Sequence, residues 1–88
     1  MTPITVKSDI GDCVSFILAG PAKLKADDLT DNQTVTLYEE RSDGEYDPVR
    51  VRGMQVNLTQ TQPSFIIEGY GNYKCLGTVD DLIVGMES

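Results

Sequence analysis

The sequence predicts an all-β fold, a small antiparallel β-sandwich of about seven to nine short strands with a jelly-roll or immunoglobulin-like meander. Three observations carry this. Apolar and polar residues alternate with a period of two in several stretches. Turn-forming residues recur at intervals of roughly 8–12 residues. No stretch of helical length carries a 3.6-residue apolar stripe.

In chain order, "ITVKS" (4–8) reads as a first short strand and "IGD" (10–12) as a turn. "CVSFILA" (13–19) is apolar on both faces, as expected of a strand covered on both sides or packed near another subunit. "AGP" (19–21) is expected to turn the chain, and "AKLKADDL" (22–29) to continue as a strand, with a single helical turn as the other reading. After the turn "TDNQ" (30–33), "TVTLYE" alternates Val35 and Leu37 against Thr34, Thr36 and Tyr38. Asp43-Gly44 within "SDGE" then marks a hairpin, because Gly readily takes the positive φ such a turn needs. "VRVRG" sets Val49 and Val51 against Arg50 and Arg52, and Gly53 marks a tight connection or bulge. "QVNLT" sets Val56 and Leu58 against Gln55, Asn57 and Thr59. "TQPS" (61–64), "SFIIEG" (64–69), the turn "GYGN" (69–72), "NYKCLG" (72–77) and "DLIVGM" (81–86) complete the meander, with Asp80-Asp81 as a turn before the last strand.

With 88 residues, the chain is expected to form a single domain over 1–88. A domain of this size buries only about 60–65% of its unfolded surface, so association is a natural supplement to its stability. The net charge of −7 opposes binding to phosphate backbones and to anionic membranes, and no apolar run is long enough to span a bilayer. The N-terminus carries no signal-peptide pattern, so folding in a cytosol is expected, with Cys13 and Cys75 reduced and buried. On that expectation the glycosylation patterns "NQT" (32–34) and "NLT" (57–59) go unused.

Histidine is absent, which removes Ser-His and Cys-His nucleophilic machinery and the commonest metal ligand. Lys7, Lys23, Lys25 and Lys74 sit at solvent-facing positions outside any motif. Glu39, Glu40 and Glu45 supply carboxylates of the type glycoside hydrolysis requires, but a chain this short has little material for a sugar-sized cleft. Neither "RSDGEYDPV" nor "DDLTDNQ" has the ligand spacing of an EF-hand. "GYGN" does not precede a helix and so is not a phosphate loop. The expectation is therefore no enzyme, no cofactor and no metal. The acidic residues Glu39, Glu40, Asp43 and Glu45 solvate a hairpin, with Arg41, Arg50 and Arg52 available for cross-strand pairing.

From "FILAGPAKLKADD" through "TVTLYEERSDGEYDPVRVRGMQVNLT" to "PSFIIEGYGNYKCLG", the chain resembles the small β-sandwich virion proteins of tailed bacteriophages, of the decoration, head-fibre and neck-associated type. The resemblance covers roughly residues 16–86 and ends on the apolar strand "LIVGM". It implies a structural protein without catalytic residues, placed on the virion after assembly in the host bacterial cytoplasm. It further implies contacts with phage capsid or neck proteins and a homo-oligomer, a trimer or ring. Ile17, Ile66 and Ile83 are read first as core, with a subunit interface as the other reading. A second function is a carbohydrate- or receptor-binding module in which Tyr46, Tyr70 and Tyr73 share an exposed face; partial burial at the sandwich edge is the plainer reading of each ring.

Overall fold

The structure is a computed structural model describing residues 1–87. Its nine strand segments are β1 (Thr2–Val6), β2 (Phe16–Ala26), β3 (Val35–Glu40), β4 (Tyr46–Pro48), β5 (Arg50–Val51), β6 (Met54–Gln55), β7 (Asn57–Leu58), β8 (Ser64–Gly77) and β9 (Leu82–Glu87). One turn of 3-10 helix, Ile10–Asp12, is capped by the Asp9 carboxylate, which accepts from the Gly11 N–H. The all-β expectation holds.

Seven strands form one antiparallel sheet in the order β1-β9-β2-β8-β3-β4, with β7 also pairing β3. Only β3–β4 and β5–β6 are neighbours both in the chain and in a sheet. β2 and β8 are the long members and pair continuously from Phe16↔Tyr73 to Lys25↔Ser64. The last residues of β8 pair with β3, from Glu39↔Tyr73 to Val35↔Gly77, and Tyr73 is paired on both sides. β8 therefore belongs to both layers of the sandwich, one with β2, β9 and β1, the other with β3, β4 and β7.

Two expected turns lie inside strands. "AGP" is the middle of β2, and "GYGN" is the middle of β8. The two sites face each other, with Gly20 opposite Gly69. Both strands bend there together, and glycine is what permits it. Gly20 has φ +142°, which a side chain rarely tolerates, and a Cβ on Gly69 would lie 2.7 Å from the Tyr73 hydroxyl.

The sheet closes on itself at the other end of β1. Lys7 makes a parallel bridge to Leu76, and the Gly77 N–H donates to the Lys7 carbonyl at 2.9 Å. Around this seam the Ser8 N–H and hydroxyl both donate to Asp80 Oδ1, at 2.8 and 2.9 Å, while Lys7 pairs with Asp81 at 2.7 Å. The two donors from Ser8 hold the Asp80 carboxyl below its ordinary value. A depressed folded-state pKa contributes stability above the unfolded value, near 3.8, and that contribution is lost as pH falls through the folded value. Asp80→Ala is accordingly expected to melt below the parent at pH 7, with the two melting curves converging under acid. Melts by circular dichroism between pH 7 and pH 2 check this; a gap that stays constant with pH would remove the carboxylate from the seam's energetics.

Inside lies one apolar cluster, from Ile4 and Val6 on β1 through Leu18, Ala22 and Leu24 on β2, Val35 and Leu37 on β3 and Ile67 and Cys75 on β8 to Val84 on β9. No charged or polar residue is buried among the described residues. Cys13 and Cys75 are both buried and free. The Cys13 thiol donates to the Cys75 carbonyl at 3.2 Å, and burial pushes the Cys75 thiol up to about 12. Both side chains act as small apolar residues.

Candidate interaction surface

Alternation along the bent pair β2/β8 decides which side chains reach solvent. Leu18, Ala22 and Leu24 point inward, so Ile17, Ala19, Pro21 and Lys23 point outward. On β8, Ile67, Tyr73 and Cys75 are buried, while Ile66, Glu68 and Tyr70 are exposed. The cross-strand register places Ala19 opposite Tyr70 and Pro21 opposite Glu68. Ile17 and Tyr70 are then diagonal neighbours, as are Pro21 and Ile66, at the roughly 7–8 Å typical of such pairs. The result is an apolar row, Ile17–Ala19–Tyr70–Pro21–Ile66, along the outside of the bend, with Glu68 opposite Pro21 and Lys23 opposite Ile66 at its flanks.

This corrects the reading of the isoleucines as core. Ile17 is 71% exposed, Ile66 70% and Ile83 51%. Each alternates with a buried neighbour, Leu18, Ile67 and Val84 respectively. Ile83 faces outward from β9 rather than from β2/β8, beside Pro3, Lys25 and Asp27 at the rim of a shallow cavity of about 470 Å³. It stands apart from the row that holds Ile17 and Ile66.

The tyrosines do not form one exposed face. Tyr70 is 78% exposed and belongs to the apolar row. Tyr73 is 6% exposed, packs its ring on Phe16 with centroids 6.2 Å apart, and its hydroxyl accepts from the Tyr70 N–H at 3.1 Å. It is part of the core and pins the bend from inside. Tyr46 is half-buried on β4, with the Lys74 ammonium 4.6 Å above its ring and its hydroxyl donating to Glu40 at 3.3 Å.

The acidic hairpin β3–β4 turns at Gly44, whose φ is +87°. Glu39 and Asp47 face each other across it, a like-charged pair, and Arg41 offsets the repulsion by bonding Asp43 and, at 3.1 Å, Asp47. The guanidinium holds the Asp43 carboxyl below its ordinary value, and the two acids raise that of Arg41. Arg50 and Arg52, available for cross-strand pairing, take no ion pair among the described residues. No cluster of three or more metal-ligating side chains occurs among the described residues.

Ala19 and Pro21 were missed as members of the surface. The signal was present, since period two runs unbroken from Phe16 to Ala26 once "AGP" is taken as strand rather than turn. Comparison with protein-family models, with curated proteins and with solved structures returned no match.

Proposed function

We propose that the protein is a non-enzymatic structural component of a bacteriophage particle, a capsid decoration or head-surface protein that acts by protein–protein contacts as a homo-oligomer. The observation that carries the reading is the outer row of β2/β8, where Ile17, Ile66 and Tyr70 stand exposed beside Ala19 and Pro21. Exposed apolar side chains grouped in this way, here flanked by Glu68 and Lys23, mark a protein-contact site. The strand and turn pattern that resembles small phage virion proteins points to the particle as the place of contact. The net charge of −7 keeps the chain from competing for packaged nucleic acid. The carbohydrate-binding alternative loses its shared aromatic face, because Tyr73 is buried.

The test is recovery on intact particles purified from a phage lysate on a density gradient. The parent protein is expected in the particle band. The variant Ile17→Glu/Ile66→Glu is expected in the soluble fraction at unchanged thermal stability, since exposed positions change folding free energy by only about 0.5 kcal/mol. Parent protein confined to the soluble fraction would sink the proposal; a variant that still bands with particles would move the contact away from β2/β8.

A further inference from the structure

Residues 50–55 form an arm. At its root Val49 is buried and donates its N–H to the Leu37 carbonyl at 2.9 Å. Val56 is fully buried, donates to the Val49 carbonyl at 3.1 Å, and accepts from the Leu37 N–H at 3.0 Å. Between these anchors β5 and β6 pair only with each other, Arg50 opposite Gln55 and Val51 opposite Met54. The tip is a two-residue turn with positive φ at both Arg52 and Gly53. Every residue of the arm is exposed, Met54 at 73%. An isolated two-stranded hairpin is at best marginally stable in water, and this one adds nothing to the core.

The arm is also an electrostatic exception. The chain has 7 basic residues against 14 acidic ones. Lys7, Lys25 and Arg41 are in ion pairs, and Lys74 sits over Tyr46. Arg50, Arg52 and Lys23 have no such partner among the described residues, and of these the two arginines are on the arm. The same sheet edge carries the acidic β3–β4 hairpin, where Glu39, Glu40 and Glu45 are exposed and Arg41 is already engaged by Asp43 and Asp47. Along the outer edge of β3 the basic arm is thus rooted at Leu37, directly after β4, the second strand of the acidic hairpin.

We propose that this edge is the contact between two copies of the chain, related by a two-fold axis, with the arm of each protomer laid on the acidic hairpin of the other. A two-fold contact uses the same patch on both copies, so the patch must be self-complementary, and a neighbouring plus and minus pair satisfies that. Arg50 and Arg52 meet Glu39 and Glu45 of the other copy, while Val51 and Met54, on the alternate face of the arm, line a cavity with Gln62 and Phe65 of their own chain. The assignment deepens the assembly reading above and rests on it only for there being a homo-oligomer. The face used is different from the Ile17/Ile66 row.

Light scattering across a protein concentration series tests it. The parent is expected to double its mass with concentration, less readily at 1 M than at 0.05 M salt, because exposed charge pairs are screened. Arg50→Glu/Arg52→Glu and Glu39→Arg/Glu45→Arg are each expected to shift the midpoint at least about tenfold upward. An equimolar mixture of the two is expected to associate again, since the reversed charges complement each other. Ile17→Glu/Ile66→Glu is expected to dimerise like the parent, so failure of the particle reading and failure of this contact give different results. A parent that stays monomeric, an arm variant that dimerises unchanged, or a mixture that stays monomeric would each overturn the assignment.

Discussion

Leu24→Ala is expected to lower the unfolding free energy by about 2–5 kcal/mol, as measured by urea denaturation. Leu24 is 1% exposed and lies where β2 is paired on both sides, with Phe65 of β8 and with Met86 of β9. Removing its side chain leaves a void that two flanking strands, each held by its own hydrogen bonds, cannot collapse to fill. Small domains have roughly 0.05–0.15 kcal/mol of stability per residue, so a loss of this size takes much of the total. A change below about 1 kcal/mol would show that the core around β2 is looser than its burial implies.

The seam between β1 and β8 yields the second large effect. A Cβ on Gly77 would lie 2.5 Å from Val6 Cγ1 and 3.1 Å from the Val79 carbonyl oxygen. Val6 is fully buried, so its side chain has nowhere to move. Gly77→Ala is expected to cost about 1–3 kcal/mol through overpacking and to raise the exchange rate of the Gly77 amide hydrogen bonded to Lys7. The informative contrast is Gly20→Ala, where nothing lies within 4 Å and only the backbone angle is strained. If the two variants unfold alike and the seam amides stay protected in both, close packing at Gly77 is not what holds β1 to β8.

Local signals and tertiary consequences separated at identifiable residues. Val35, Leu37, Val56 and Leu58 were legible as inward-facing because alternation is a property of each strand by itself, and all four are buried. The Asp43-Gly44 hairpin was legible because its turn rests on the positive φ of one glycine, a local property too. Gly20 and Gly69 were not, since a glycine that turns a chain and a glycine that bends a strand read alike; only their pairing distinguishes the cases. Of the two readings of Ile17 and Ile66 the core one fails, because "CVSFILA" and "SFIIEG" suit a strand covered on both faces as well as one near another subunit, whereas no element of this chain is packed over their outer row. Tyr73 goes inward where Gly69, having no side chain, leaves room for its hydroxyl and ring. The exposed arm could not be foreseen from "VRVRG", whose alternation suits a half-buried strand. Leu37 takes both Val49 and Val56 as partners, and that excludes residues 50–55 from the main sheet.

The place of β9 bears on how the molecule is made. β9 (Leu82–Glu87) lies between β1 and β2, the first two strands of the chain. Thr2 pairs with Met86, almost the full length of the chain away. During synthesis the first strand therefore emerges long before its only antiparallel neighbour exists, and it waits unpaired while the middle of the protein is built. Contacts of such high sequence separation are expensive in chain entropy and form late, placing folding in the slow range of about milliseconds to seconds. The β3–β4 hairpin, whose strands are near in sequence, is expected to form early, and the pairing of β1 with β9 last.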